Sequence, residues 1–175
     1  MISKLHQVTD EQLAEMRRLV KNSLDALDPA LRSQEDLYDA VNLFFPVKEN
    51  QANLELANYM VNLTGHTLDD ITSMHYVSYE EGQFLRAHKD EGYFRPGRTI
   101  SAANIPDSKT WIFLLQAADE GGRLIVDHKD SMLEKPGEYV YFDGYTDEHE
   151  VTVVEKGYRE TLVMWYKPKI TKSLL

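Results

Sequence analysis

The spacing of apolar residues changes about one third of the way along the chain, and the first part has the spacing of helices. Thr9 and Gln12 have the separation of a capping box, which typically opens an α-helix. The apolar residues after them recur every three or four positions, as on one face of a helix: Leu13, Met16, Val20, Leu24 and Leu27. The pattern therefore predicts an amphipathic helix over 10–27, ended by Pro29.

Two shorter helices are predicted to follow. The first would extend over 33–44 and end before Pro46, and the second over 50–63 with Gly65 as its terminating residue. All three helices would carry apolar faces, which need a partner in the rest of the chain.

From about residue 70 the apolar period becomes two, and β-branched and aromatic residues gather in short runs between turn-forming residues. This pattern predicts a mainly β protein with N-terminal helices, an α+β fold in which a sandwich or jelly roll is braced by helices on one face. We expect a single domain over 1–175, with a helical part at 1–65 and a β core at 70–167. The predicted strands are 71–79, 84–89, 99–102, 110–116, 123–128, 138–142, 149–155 and 159–166.

Composition limits the chemistry and the partners. The 175 residues include no cysteine, so any metal must be held by nitrogen and oxygen ligands. The net charge of −10 is opposite to that of most proteins that coat nucleic acids, and no nucleic-acid partner is expected. The longest apolar run, 111–115, is too short for a membrane span, and the first residues lack a signal-peptide pattern. We therefore expect a cytoplasmic protein without membrane association, and the sequence gives no indication of its oligomeric state.

A candidate metal site begins with the pair His88-x-Asp90, because residues two apart on a strand point to the same side about 7 Å apart. A distant third residue, His149, would complete a two-histidine, one-carboxylate set, which leaves positions on iron open. A second such pair, His128-x-Asp130, lies nearer to His149 in the sequence. Either pair alone is more often a surface feature than a metal site.

The surroundings favour His88 over His128, which we interpret as an exposed residue at a strand end. Further on, Arg159 and Thr161 share one face of a predicted strand and could receive one end of a dicarboxylate. An arginine at a strand edge paired with a neighbouring glutamate is the alternative. The side chain of Asp147 or Glu148 is expected to orient the imidazole of His149 through its second nitrogen.

Four motifs in order resemble the iron(II)- and 2-oxoglutarate-dependent dioxygenases, specifically their prolyl-4-hydroxylase-like branch. The motifs are YEEGQFLRAHKD at 79–90, GGRL at 121–124, His149 and RETLVMWY at 159–166. The resemblance implies a double-stranded β-helix, the jelly roll of this family, with iron at its open mouth. It also implies the following roles: His88, Asp90 and His149 as iron ligands, Arg159 and Thr161 at the distal carboxylate of 2-oxoglutarate, and Tyr79, with Tyr76 as a competitor, as further cosubstrate contacts.

The same resemblance implies an activity. Fe(II) would be the cofactor, 2-oxoglutarate and O2 the cosubstrates and ascorbate an optional reductant, for hydroxylation of an unactivated C–H bond. Prolyl 4-hydroxylation of a peptide or protein is the leading interpretation, and Tyr93, Arg95 and Arg98 are candidate substrate contacts. The alternatives are a hydroxylase of a free amino acid or small metabolite and, ranked last, a non-enzymatic jelly roll that binds metal or a partner. Segments 28–50 and 91–108 are candidate lids.

Overall fold

The two helices are built as their sequences predict. A computed structural model describes residues 1–28, 38–90 and 108–167. Helix α1, Asp10–Asp25, begins with the predicted capping box, in which Thr9 Oγ1 accepts from the Gln12 amide at 3.1 Å and Gln12 Oε1 accepts from the Thr9 amide at 2.8 Å. Helix α2, Gln51–Thr64, begins at the capping side chain of Asn50 and ends at Gly65, whose φ of 73° is left-handed. No helix in the described ranges is both long enough and apolar enough to cross a bilayer.

The strands form two facing antiparallel sheets and one short separate pair. In chain order they are β1 His6–Gln7, β2 Tyr38–Asp39, β3 Val41–Phe44, β4 Ile71–Tyr79, β5 Phe84–His88, β6 Lys109–Gln116, β7 Glu120–Gly121, β8 Leu124–Val126, β9 Lys129–Asp130, β10 Glu138–Phe142, β11 His149–Val151, β12 Val154–Lys156 and β13 Arg159–Tyr166. The major sheet has the order β1-β10-β6-β13-β4-β3, the minor sheet has the order β2-β5-β11-β8-β9, and β7 pairs with β12. A short 3₁₀ helix, Leu68–Asp70, leads into β4.

The major sheet separates two hydrophobic cores because the side chains of each strand alternate between its faces. On β13, Leu162 and Met164 face outward and pack against Met16 and Leu56 of the helices. The intervening Val163 faces inward and belongs to the core shared with the minor sheet. This arrangement confirms the mainly β, helix-braced jelly roll, and it leaves the inner face of the major sheet to line a site.

One predicted element is wrong. The helix predicted over 33–44 is replaced, from Tyr38 onward, by β2 and β3, while residues 29–37 lie outside the described part. Strand β3 pairs with β4, with Val41 opposite Ser78 and Phe44 opposite His75. Its Leu43 packs on the helical core while Asn42 is buried on the other face, and such alternation belongs to a strand.

The other predicted strands agree with the structure apart from two points, and the two-residue strands β1, β7 and β9 were not predicted. The strand predicted over 149–155 is divided into β11 and β12, because β11 pairs with β5 and β8 whereas β12 pairs with β7. The strand predicted over 99–102 lies outside the described residues, as does the candidate lid at 91–108 except for its last residue. In the other candidate lid, 28–50, β3 forms the edge of the major sheet.

Candidate active site

The three predicted metal ligands lie together at one end of the minor sheet. His88, the last residue of β5, is paired directly with His149, the first residue of β11. Asp90 follows β5, and its amide donates to the carbonyl of Gly144 at 2.7 Å, which fixes it beside the turn that precedes β11. Strand pairing therefore brings together residues that are far apart in the sequence.

The donor atoms of these residues converge. Asp90 Oδ1 lies 3.1 Å from His88 Nε2 and 3.3 Å from His149 Nε2, and one ligand atom from each residue falls within 4.8 Å of the others. Both Nδ1 atoms face backbone carbonyls, that of Arg86 at 2.6 Å and that of Asp147 at 2.9 Å. A carbonyl only accepts, so each Nδ1 carries the proton and each Nε2 presents a lone pair. This donor set fits Fe(II).

The electrostatics of the cluster favour a charged carboxylate. Burial opposes charge on both Asp90 and His149, but their mutual attraction and hydrogen bonding outweigh it. The result is a pKa of Asp90 well below its usual range and a raised pKa of His149. A divalent cation requires the deprotonated carboxylate that this environment favours, and it replaces the proton for which His149 has a raised affinity in the metal-free protein.

A second site element lies on the inner face of the major sheet. Arg159 on β13 is opposite Tyr79 on β4, and its guanidinium carbon lies 5.4 Å from the centre of the Tyr79 ring. Arg159 is only 3% exposed, and within the described ranges no carboxylate forms an ion pair with it. Burial lowers the pKa of Arg159 but the group stays charged. A buried cation of this kind favours an anionic ligand.

One cavity connects the two elements. It reaches from the metal-ligand cluster to Arg159, and its apolar walls include Val77, Ile112 and Leu124. Thr161 is buried two residues beyond Arg159 and donates a long hydrogen bond of 3.4 Å to the Val77 carbonyl. The polar residues that line this cavity are His75, Tyr79, Asp90, Thr110, His149, Arg159, Thr161 and Trp165.

The other residues predicted to contact cosubstrate or substrate do not line the described cavity or lie outside the described residues. Tyr76 does not face this cavity, because it lies three residues before Tyr79 on β4 and its side chain is therefore on the opposite face of the strand. That side chain belongs to the helical core, and its hydroxyl donates to Glu160. The expectation that Tyr76 contacts the cosubstrate is therefore wrong. Tyr93, Arg95 and Arg98 lie outside the described residues.

His128 is exposed, as predicted, in the tight turn between β8 and β9. Its side chain is 85% exposed, its φ is 64°, and Nε2 lies 3.6 Å from Glu148. An acidic side chain was expected to orient the imidazole of His149, but the backbone carbonyl of Asp147 does so instead. The carboxylate of Asp147 accepts a hydrogen bond from the Asp143 amide at 3.3 Å. The side chain of Glu148 is directed to His128.

Sequence reasoning missed three residues at the site. His75 is 1% exposed and lines the cavity, although no role was expected for it. It lies four residues before Tyr79 on the same strand, so strand parity was a signal that could have found it. Thr110, whose hydroxyl is 3.4 Å from Asp90 Oδ2, and Gly144 carry no sequence signal for this role.

Gly144 is expected to be required for iron binding. A Cβ at this position would collide with Asp90 Oδ2 and Thr110 Oγ1, so the Gly144→Ala substitution must displace the carboxylate. We expect iron affinity to fall at least about tenfold, as for other changes that misplace a ligand. Isothermal titration of the metal-free protein with Fe(II) under anaerobic conditions measures this effect.

Gly82→Ala is the matched control for that substitution. Gly82 has a φ of 86°, so alanine is strained there, but nothing lies within 4 Å of its added Cβ. We expect a loss of about 1–2 kcal/mol in stability from the backbone conformation and unchanged iron affinity. Equal iron affinity in the two variants would contradict the role of Gly144.

The buried imidazole of His75 should make the protein sensitive to acid. Burial lowers the pKa of His75 from the usual 6.5 to about 4, with Asp90 acting weakly in the opposite direction. The unfolded chain therefore takes up a proton at a higher pH than the folded chain, and stability is lost as pH falls from 6.5 towards 4. The loss from this group between about pH 7.5 and about pH 5 should be about 2 kcal/mol.

Urea unfolding of the metal-free protein at these two pH values, compared with that of His75→Phe, isolates this contribution. The other titrating groups are common to both proteins, so their effects largely cancel in the difference. The variant is expected to lose less stability on acidification. A parallel pH dependence of the two proteins would show that His75 is not held neutral in the folded state.

The comparisons with known proteins agree with this geometry. A search of curated protein sequences found no match. Three solved structures are similar in fold. A Pseudomonas putida prolyl-4-hydroxylase has a TM-score of 0.61 and 19% identity, with 96% of this chain and 92% of that chain covered. The viral collagen prolyl hydroxylase of Paramecium bursaria Chlorella virus-1, in a 2-oxoglutarate complex, has a TM-score of 0.57 and 14% identity, with 93% of this chain and 95% of that chain covered. A Trichoplax adhaerens prolyl hydroxylase, in complex with a hypoxia-inducible-factor oxygen-degradation-domain peptide, has a TM-score of 0.60 and 13% identity, with 95% of this chain and 82% of that chain covered.

The family is given by a sequence comparison. The family model of the 2OG-Fe(II) oxygenase superfamily matches residues 74–167, which is more than half of the chain and includes all three converging ligands and Arg159. The cofactor of this superfamily is Fe(II) and its cosubstrates are 2-oxoglutarate and O2, in agreement with the donor set and the buried cation described above. The chain belongs to the 2OG-Fe(II) oxygenase superfamily and is an Fe(II)- and 2-oxoglutarate-dependent dioxygenase.

Proposed function

We propose that this dioxygenase hydroxylates prolyl residues, most simply at C4, in a peptide or protein. One observation supports the proposal most directly. The cavity that is lined by Asp90 and His149 of the metal-ligand cluster and by Arg159 lies in a fold shared over more than nine tenths of the chain with three prolyl hydroxylases. One of these structures contains a peptide, as its description states.

The metal-ligand cluster and Arg159 would have separate tasks. His88, Asp90 and His149 would hold Fe(II), which with 2-oxoglutarate and O2 supplies the oxidant for an unactivated C–H bond. In the overall reaction one oxygen atom enters the substrate as a hydroxyl group, and the other enters succinate as CO2 is released. The oriented Nδ1–H groups would keep the two imidazoles fixed throughout.

Arg159 would bind the distal carboxylate of 2-oxoglutarate in an environment that strengthens the ion pair. Its burial removes competing water, and the face of the Tyr79 ring holds the guanidinium on one side. Burial raises the pKa of Tyr79 to about 12, so its hydroxyl stays protonated and can donate to a carboxylate. The apolar side chains of Val77 and Leu124 keep bulk water from the walls of the cavity.

The test is a turnover assay with purified protein, Fe(II), 2-oxoglutarate and ascorbate. We expect a proline-containing peptide to stimulate succinate formation and to gain the mass of one oxygen atom, whereas the same peptide with alanine for proline should do neither. His88→Ala is the control for adventitious iron chemistry. Stimulation by free proline but by no peptide would instead support the small-molecule hydroxylase, and a folded, iron-loaded protein that responds to neither would contradict the proposal.

A further inference from the structure

The two carboxylate oxygens of Asp90 have different surroundings. Oδ1 lies 3.1 Å from His88 Nε2 and 3.3 Å from His149 Nε2, so this oxygen points to the place where the ligand atoms converge. Oδ2 instead accepts a hydrogen bond of 3.4 Å from the hydroxyl of Thr110. One oxygen therefore faces the metal position, and the other faces a side chain of the major sheet.

Thr110 is held rigidly in that sheet. It lies on β6 opposite Phe142 of β10 and Trp165 of β13, so a strand pairs with it on each side. Its residue is 4% exposed, and its branched Cβ restricts the side chain to few rotamers. Asp90, in contrast, lies two residues beyond the end of β5 in the minor sheet. The hydrogen bond therefore ties Asp90 to a fixed position on the opposite sheet.

The turn that precedes β11 encloses Oδ2 from another side. A Cβ added to Gly144 would lie 2.3 Å from Asp90 Oδ2 and 2.4 Å from Thr110 Oγ1, so both oxygens lie close to this glycine. The Asp90 amide donates to the Gly144 carbonyl at 2.7 Å, which holds the backbone at the same place. Because Oδ2 is enclosed between a hydroxyl and a backbone, rotation of the carboxylate is restricted.

The donor and acceptor roles in this pair follow from their chemistry. A carboxylate that binds a metal is deprotonated and only accepts hydrogen bonds, so the threonine hydroxyl is the donor. Carboxylates bind cations through one oxygen or through both. An oxygen that accepts from a fixed donor is less available to a metal, whereas binding through both oxygens would occupy one more of the positions that two imidazoles and one oxygen leave open.

We propose that Thr110 is a positioning residue that selects the ligand oxygen of Asp90. By holding Oδ2 at the major sheet, it directs Oδ1 alone to Fe(II). Thr110 does not touch the metal and acts through the carboxylate. The inference rests on the three converging ligands and is independent of which substrate is hydroxylated, so failure of the prolyl hydroxylase proposal would leave it intact.

The experiment measures how Asp90 binds metal in the presence and absence of the hydroxyl. Thr110→Val removes the hydroxyl and keeps the branched shape, while Thr110→Ser keeps a hydroxyl. Infrared difference spectra between Zn(II)-loaded and metal-free protein, recorded with natural and with carbon-13-labelled aspartate, isolate the stretching modes of the bound carboxylate. The gap between the antisymmetric and symmetric modes is wider for binding through one oxygen than for binding through two. Anaerobic isothermal titration with Fe(II) supplies the affinity.

We expect a wide gap in the wild type and in Thr110→Ser, and a narrower gap in Thr110→Val. Fe(II) binding should weaken about tenfold in Thr110→Val, the usual loss when a group that orients a ligand is removed, and serine should restore it. Thr72→Val is the matched control, since the Thr72 hydroxyl lies in the same sheet but donates to the Trp165 carbonyl at 3.0 Å. This variant should equal the wild type in both measurements.

The wild-type spectrum is decisive even if the valine variant does not fold, because a narrow gap there would overturn the inference. In folded Thr110→Val, an unchanged gap or an unchanged Fe(II) affinity would also overturn it. A serine variant that behaves like the valine variant would show that the shape of the side chain matters and the hydroxyl does not.

Discussion

Replacement of His88 by alanine is expected to abolish the weak visible charge-transfer band that Fe(II) and 2-oxoglutarate form together on the protein. His88 Nε2 lies 3.1 Å from Asp90 Oδ1, and Nδ1 of the same ring donates to the Arg86 carbonyl. These two contacts fix the ring as a ligand, and the alanine side chain offers no ligand atom in its place. Succinate formation should fall more than a hundredfold, because loss of a group that only orients a ligand already costs roughly 10- to 100-fold. Anaerobic titration of the metal-free protein measures the band directly.

His128→Ala is the matched control, since it removes the histidine of the second His-x-Asp pair. The side chain of His128 is exposed in a tight turn and contacts only Glu148 among the described acidic residues, at 3.6 Å. We expect the band and the activity of this variant to equal those of the wild type. A band that survives in His88→Ala, or disappears in His128→Ala, would contradict the assignment of the metal ligands.

The parts of the fold that were predicted correctly have local causes. The capping box of Thr9 and Gln12 and the left-handed Gly65 act within one turn of their helices, so the sequence around them determines where the helices begin and end. The helix predicted over 33–44 was wrong for residues 38–44 because their structure depends on a strand that is distant in the sequence. Strand β3 exists through its pairing with β4, and its apolar residues also fitted the spacing of a helix.

The metal ligands could be predicted by residue type, but their arrangement could not be derived from the order of the chain. His128 is nearer than His88 to His149 in the sequence, yet β5 pairs with β11 so that His88 and His149 lie side by side. On β4, the difference between Tyr79 and Tyr76 is one of strand parity. The same alternation places His75 in the cavity, and it could have been read from the sequence once β4 was predicted.

Substitution of Arg159 by glutamine is expected to weaken 2-oxoglutarate binding by a factor of about 30 to a few thousand. This range corresponds to the roughly 2–5 kcal/mol lost when one partner of a buried, hydrogen-bonded charge pair is removed. The affinity for Fe(II) alone should be unchanged, because Arg159 is not one of the three converging ligands and forms no ion pair with Asp90 in the described ranges. The KM for 2-oxoglutarate and its concentration dependence in thermal unfolding provide two independent measurements.

The stability of the same variant without cosubstrate distinguishes loss of an anion-binding residue from general damage to the fold. Arg159 is a buried cation without an ion pair in the described ranges, so its replacement removes an uncompensated charge and should leave the unliganded protein as stable as the wild type or more stable. Arg18→Gln is the control, since that arginine pairs with Glu15 at 3.0 Å on the exposed face of α1, and it should not affect 2-oxoglutarate binding. Wild-type affinity for 2-oxoglutarate in Arg159→Gln would show that the dicarboxylate is anchored elsewhere.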